Sequence, residues 1–128
     1  TVLHVMEATI GGTRRHLLDA VLAQRGLGLS VAVVAAAERM PAVRGDFERM
    51  RAAGAAVEEL PMQRAIRPFT DWRHMRALER ALRRWRPDVV HTHSSKAGVL
   101  GRMASLQTGI GVRVHTPHTF AFLFGAMF

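Results

Sequence analysis

Residues 87–98 read Pro-Asp-Val-Val-His-Thr-His-Ser-Ser-Lys-Ala-Gly. Pro87 closes whatever helix precedes it, because the residue before a proline is driven out of the helical region. Val89 and Val90 open a β-type run that breaks into His, Ser and Ser. A helical pattern then begins at once, so this is a strand handing directly over to a helix. Two further stretches have the same character. Residues 7–16, Glu-Ala-Thr-Ile-Gly-Gly-Thr-Arg-Arg-His, follow an apolar run and precede an apolar stripe of Leu17, Leu18, Val21 and Leu22. Residues 114–120, Val-His-Thr-Pro-His-Thr-Phe, leave another short β-type run. In a parallel sheet, ligands bind at the carboxyl ends of the strands. Three polar clusters at such ends converge on one crevice although the chain separates them widely.

Working outward, strands are expected at 1–7, 29–36, 55–60, 88–93 and 112–116. The first is mostly apolar without clean alternation, as suits a strand buried on both faces. Gly11 and Gly12 break it, and Thr13 is positioned to cap the following helix, which Gly26 and Gly28 end. Residues 37–44 form a loop, and a short helix runs from there to about residue 53, stopped by Gly54. Pro68 and Asp71 open a long helix whose stripe is Trp72, Met75, Leu78, Leu82 and Trp85, spaced three or four apart. Arg73, Arg76, Arg80, Arg83 and Arg84 fall on its opposite side. Residues 96–106 form the last helix, with Ser94 or Ser95 as its cap. Strict alternation of strand and helix, with no repeat or interior linker, argues for an α/β fold: a Rossmann-like, doubly wound parallel sheet of five strands in the order 3-2-1-4-5. The first and fourth strands are then neighbours, and the fifth lies beside the fourth.

The chain has 128 residues, enough for one domain with a real core. Cysteine is absent, which excludes disulfides and thiolate metal sites and favours a cytosolic setting. No apolar run approaches the ~20 residues of a membrane-spanning helix. Residues 120–128, Phe-Ala-Phe-Leu-Phe-Gly-Ala-Met-Phe, are a poor natural terminus because they would expose an apolar patch, so the chain reads as a truncated piece of a longer protein. The formal charge of +8 points to phosphates, nucleic acid or an anionic membrane surface, or simply to arginines coating solvated helix faces.

Each motif admits more than one chemistry. Gly11 and Gly12 at a helix start suit close approach of an anion to free N–H groups; equally, they suit a plain tight turn. They match neither the Gly-x-Gly-x-x-Gly dinucleotide signature nor a P-loop. His91 and His93 share a face of their strand. They would need a third ligand to hold zinc, with His115 or His118 as candidates and Glu7 as the nearby carboxylate. Otherwise His91 is a hydrogen-bonded core histidine, and His93 at the strand's mouth contacts a ligand. Lys96 sits in a helix's first turn, where the dipole disfavours a cation, so it is either solvated or facing an anion. His118 follows the rigid Pro117, as an acid–base group, a polar contact or a surface residue. No Gly-x-Ser-x-Gly elbow supports Ser–His–Asp hydrolysis.

Taken together, Gly-Gly-Thr-Arg-Arg-His-Leu-Leu after the first strand, Pro-Asp-Val-Val-His-Thr-His-Ser-Ser-Lys-Ala-Gly at the fourth, and Thr-Pro-His-Thr-Phe-Ala-Phe after the fifth resemble the N-terminal domain of the family 4 retaining glycosyltransferases of GT-B fold. The fourth-strand motif is the most specific. The last departs from the usual form, with Thr119 where glycine follows the histidine. The resemblance implies that residues 1–128 are the N-terminal, acceptor-side Rossmann-like domain of a two-domain transferase. Its donor-binding C-terminal domain lies outside these residues, so the piece alone is inactive. It implies that Gly11 and Gly12 lie near the donor diphosphate and acceptor. His118 contacts the transferred sugar as the catalytic residue, and His93, Ser94, Ser95 and Lys96 line the acceptor side. It implies a nucleotide-sugar as co-substrate, no metal or other cofactor, no nucleic acid, and retention of configuration. It also suggests a cytoplasmic protein at the inner face of the membrane. A lipid-linked acceptor would be met there, and Arg73, Arg76, Arg80, Arg83 and Arg84 would face anionic lipid. The rival expectations are a non-catalytic Rossmann-type ligand-binding module and a His-x-His zinc hydrolase.

Overall fold

The computed structural model describes residues 1–7, 11–37 and 40–117. Along the chain these form β1 (Val2–Met6), α1 (Gly11–Gly26), β2 (Val31–Ala35), α2 (Val43–Ala52), β3 (Ala56–Glu59), α3 (Pro68–Trp85), β4 (Val89–His93), α4 (Ser95–Thr108) and β5 (Val112–Thr116). All strands pair in parallel in the order β3-β2-β1-β4-β5, the expected doubly wound order. This is the expected Rossmann-like arrangement, with helices on both faces of a parallel sheet.

Side chains alternate across a strand, so β1 and β2 feed two cores. Leu3, Val5, Val34 and Val90 meet Met75, Leu78 and Leu82 of α3 and Leu100 of α4 on one face. Met6, Val31, Val33 and Ala35 meet Leu17, Leu18 and Val21 of α1 and Phe47 and Met50 of α2 on the other. Both faces being covered explains why β1 and β2 read as almost continuous apolar runs. β5 lies at an edge and leaves Val112 and Val114 exposed. α4 packs unusually close to the sheet through glycine. A Cβ on Gly101 would stand 2.6 Å from Thr92 Cγ2, and one on Gly98 would stand 2.5 Å from His115 Cε1.

Three local expectations are corrected. α1 begins at Gly11, so the glycine pair forms its first turn and Thr13 lies inside the helix instead of capping it. Ser94 occupies the N-cap position of α4 but bonds no helix N–H; its hydroxyl donates to its neighbour His93 O instead. In α3, Met75, Leu78 and Leu82 are buried as their spacing predicts, but Trp72 is 54% exposed and Trp85 only half-buried. The reason is length. An 18-residue helix spans about 27 Å, whereas a five-residue strand spans about 17 Å, so α3 overhangs the sheet. Helical period identifies the inward face; it does not say where the sheet beneath it ends.

Candidate functional site

The carboxyl ends of β1, β4 and β5 lie side by side, with Met6 opposite His93 and His93 opposite Thr116. The first turn of α1, the Ser94–Ser95 turn and the segment that leads toward Pro117 therefore share one edge of the sheet. The described parts of the three motifs therefore lie at one edge of the sheet. His118, expected in the same crevice, lies outside the described residues, as does the apolar 120–128 segment.

The edge is floored by histidine. His4 of β1 lies opposite His91 of β4, and His93 is two residues further on the same face. His4 Nε2 is 2.7 Å from Gln24 Oε1, and His4 Nδ1 is 2.9 Å from His93 Nε2. A carbonyl oxygen only accepts, so His4 Nε2 donates to Gln24. His4 Nδ1 then accepts, and His93 Nε2 is the donor to it. His91 Nε2 meets Thr116 Oγ1 at 2.6 Å, and the His91 and His93 rings stack at 4.1 Å. His16, exposed on α1, stands edge-on to His93 at 5.6 Å. Burial holds the His4 pKa below the usual histidine value; its bond to Gln24 opposes this, and the charge of His16 adds to it.

This reverses the expected depths. His93 is fully buried, and His91 is the partly exposed member of the pair. α1 covers the strand end and brings His16 over His93. His4 supplies the third imidazole that the His91–His93 pair lacked in sequence. Its signal was available, because the strand order sets β1 beside β4 and so places His4 opposite His91. The ligand-capable nitrogens of these three rings lie within 4.8 Å of one another. Three such imidazoles could hold a metal ion. The nearest nitrogens are already bonded to each other. His115, a candidate third ligand, is on the other face of the sheet, where its Nδ1 meets Thr92 Oγ1 at 2.8 Å.

Around this floor, Gly12 is exposed, and a Cβ there would meet nothing among the described residues within 4 Å. Ser94 holds φ 69° and ψ 171°, a region that non-glycine residues rarely adopt. Ser95 is exposed. Lys96 finds its anion within the chain. Its Nζ bonds Asp71 Oδ1 at 2.7 Å and Ala65 O at 2.6 Å, clasping the start of α4 to the start of α3. Burial would raise the Asp71 pKa; the bonds from Lys96 and from the Arg67 N–H outweigh it and hold the carboxylate below its ordinary value. A second concavity opens between α1 and α2, lined by Arg14, Arg15, Met40 and Arg49, with Arg14 paired to Asp46 at 2.5 and 3.2 Å. Buried Glu7 ends β1 beside the crevice.

The family model described as the glycosyl transferase 4-like domain matches residues 11–127. A 59-residue stretch is 44% identical to the UDP-Gal:alpha-D-GlcNAc-diphosphoundecaprenol alpha-1,3-galactosyltransferase of Escherichia coli, covering 46% of this chain and 15% of that protein. Among solved structures, MurG of Acinetobacter baumannii superposes with a TM-score of 0.70 at 16% identity, over 99% of this chain and 39% of that one. A UDP-N-acetylglucosamine 2-epimerase superposes with a TM-score of 0.59 at 15% identity, over 90% of this chain and 32% of that one. The chain thus spans well under half the length of each of these proteins.

Proposed function

On the premise that the chain belongs to the glycosyl transferase 4-like domain family, we propose that it is the N-terminal, acceptor-side domain of a retaining glycosyltransferase. In this reading a second α/β domain closes over the crevice and carries the nucleotide-sugar, and this domain alone does not turn over. The observation that supports it best is the shared edge of β1, β4 and β5, with the first turn of α1 beside it. The bond from the anomeric carbon to the nucleotide diphosphate breaks, and a bond to an acceptor hydroxyl forms on the same face of the sugar. The N–H groups of the first turn of α1, at Gly11 and Gly12, face the negative charge of a diphosphate. Ser94 and Ser95 offer hydroxyls to the acceptor. His93, buried beneath them, positions the turn, and Lys96 holds it to α3 through Asp71. His118 contacts the transferred sugar at the reacting centre.

The Escherichia coli relative acts, by its name, on a diphosphoundecaprenol-linked sugar. We take a lipid-linked acceptor for this protein as well, met at the inner face of the membrane by a cytoplasmic enzyme whose α3 arginines face anionic lipid. Among the described residues no helix is long and apolar enough to cross a membrane. In this reading the transfer uses no metal.

The test is transfer by the full-length protein from a nucleotide-sugar to a lipid-diphosphate-sugar, with the product's anomeric configuration read by NMR. Retained configuration, activity that survives chelation, and a His118→Ala turnover at least a hundredfold lower with an unchanged melting temperature are expected. Inversion would overturn the retaining mechanism, and unchanged turnover at saturating donor and acceptor would remove His118 from it.

A further inference from the structure

β1 and β4 bring three imidazoles together at the floor of the crevice. His4, His91 and His93 each offer a ligand-capable nitrogen, and these nitrogens lie within 4.8 Å of one another. Imidazole nitrogen suits zinc, copper and nickel, and not magnesium or calcium. His4 is already arranged as a metal ligand is. Its Nε2 N–H donates to Gln24 Oε1 at 2.7 Å, so Nδ1 carries the lone pair, and that atom lies 2.9 Å from His93 Nε2. A metal-ligating histidine almost always donates its other ring N–H to a carbonyl or carboxylate, which fixes its tautomer and its orientation. Burial also favours the neutral form of His4, the form that binds a metal.

We propose that His4, His91 and His93 form a zinc site across β1 and β4, with Gln24 as its positioning residue and a water in the fourth place. The movements it needs are small. Two nitrogens on a tetrahedral zinc, each about 2.05 Å from the ion, stand about 3.3 Å apart. His4 Nδ1 and His93 Nε2 therefore spread by about 0.4 Å, and His91 closes by at most about 1.5 Å. His91 is partly exposed, the χ2 torsion of a histidine is broad, and the Thr116 hydroxyl that meets its Nε2 can swing with it. His93 binds as its other tautomer: the proton leaves Nε2 for Nδ1, and the ring stays neutral. Three neutral rings leave the ion's charge intact, so the water in the fourth place is acidified. Occupancy ties β1 to β4 through the ion and to α1 through Gln24, beneath the turn that carries Ser94 and Ser95. The site stands independently of the transferase reading, in which the transfer itself uses no metal.

The full-length protein, stripped with EDTA and dialysed, is titrated with Co²⁺ and then with Zn²⁺. One bound cobalt with the intense visible absorption of a tetrahedral site is expected, displaced in full by zinc. Zinc should raise the melting temperature, and EDTA should reverse the rise. His4→Gln and His91→Gln should each weaken zinc binding by about a hundredfold or more. Because His91 is partly exposed, its variant keeps the test open if His4→Gln folds poorly. Gln24→Leu should weaken zinc binding by about ten- to a hundredfold, and Gln24→Glu, which still accepts the His4 N–H, should restore it. A Gln24 with a merely structural role would move the melting temperature and leave the cobalt spectrum as it was. His115→Gln, on the other face of the sheet, should bind both metals as the wild type does. Absence of the tetrahedral spectrum, wild-type zinc affinity in His4→Gln or His91→Gln, or loss of binding in His115→Gln would overturn the proposal. Wild-type affinity in Gln24→Leu would overturn the role given to Gln24. Sugar transfer separates the two readings. Transfer that stops when the metal is removed would overturn the metal-free transferase reading and leave the site standing.

Discussion

At Gly12 an added methyl group would meet no atom of the described residues within 4 Å, and the residue lies in the first turn of α1. Alanine there gains helix propensity of up to about 1 kcal/mol. Gly12→Ala is therefore expected to hold or raise the urea midpoint, while kcat/KM for sugar transfer falls at least tenfold because the methyl occupies the space left for the diphosphate. Unchanged kinetics would make the glycine a plain turn residue. Ser94 presents the converse case. Its φ of 69° with ψ of 171° costs a non-glycine residue about 1–3 kcal/mol, which glycine avoids. Ser94→Gly should be more stable by about 1 kcal/mol in urea unfolding and poorer in transfer to the acceptor, showing the serine retained for its hydroxyl at the expense of stability. Neither conclusion was legible in the sequence. A glycine pair and a serine pair are both ordinary turn punctuation until the backbone angles and the empty space around them are known.

The elements themselves were nearly all legible, because hydrophobic period distinguishes strand from helix and each change of period in this chain falls at a glycine, proline or serine. The alternation of elements pointed to a parallel sheet, and its strand order was that of the doubly wound fold assumed from it. Pairings across elements were not legible in the same way. Lys96 read as solvated or facing an outside anion, because Asp71 is 25 residues away and meets it only when α3 and α4 pack together. Trp72 read as core because its spacing is right and only the reach of the sheet is wrong. The approach of α4 to the sheet gives a test at this scale. Thr92 is fully buried beneath Gly101, and a Cβ at position 101 would stand 2.6 Å from its methyl. Gly101→Ala is expected to cost about 1–3 kcal/mol by overpacking, seen as a lowered melting temperature. Adding Thr92→Ser, which removes that methyl, should recover much of the loss.

For the whole molecule the shared vulnerability is acid. Burial is the leading cause that lowers the pKa of His4, of His74 on α3 and of His115 on β5. Around His4 stand Gln24 and His16 of α1 and His91 and His93 of β4. His74 has Asp71, Arg73 and Lys96 near it, and His115 has Arg102 and Thr92. The unfolded chain takes up these protons near pH 6.5, while the folded chain resists until lower pH. Their contribution to stability is complete above that value and is lost as pH falls through the folded pKa values. The formal charge is already +8, so each added proton also raises self-repulsion. The melting temperature should fall steadily from pH 7.5 to 5.5, and His4→Gln should flatten part of that slope. A profile level across this range would show that the buried imidazoles do not govern it.

The bond between His4 and His93 joins residues 89 apart in sequence. On a ribosome adding about 5–20 residues per second, the first histidine waits about 4–18 s for its partner. Until β4 emerges, β1 presents an unpaired edge flanked by Leu3 and Val5, and no shorter nascent chain contains the crevice. Completion of the binding edge is therefore a late event of synthesis, and the interval before it is when the growing chain most needs a chaperone.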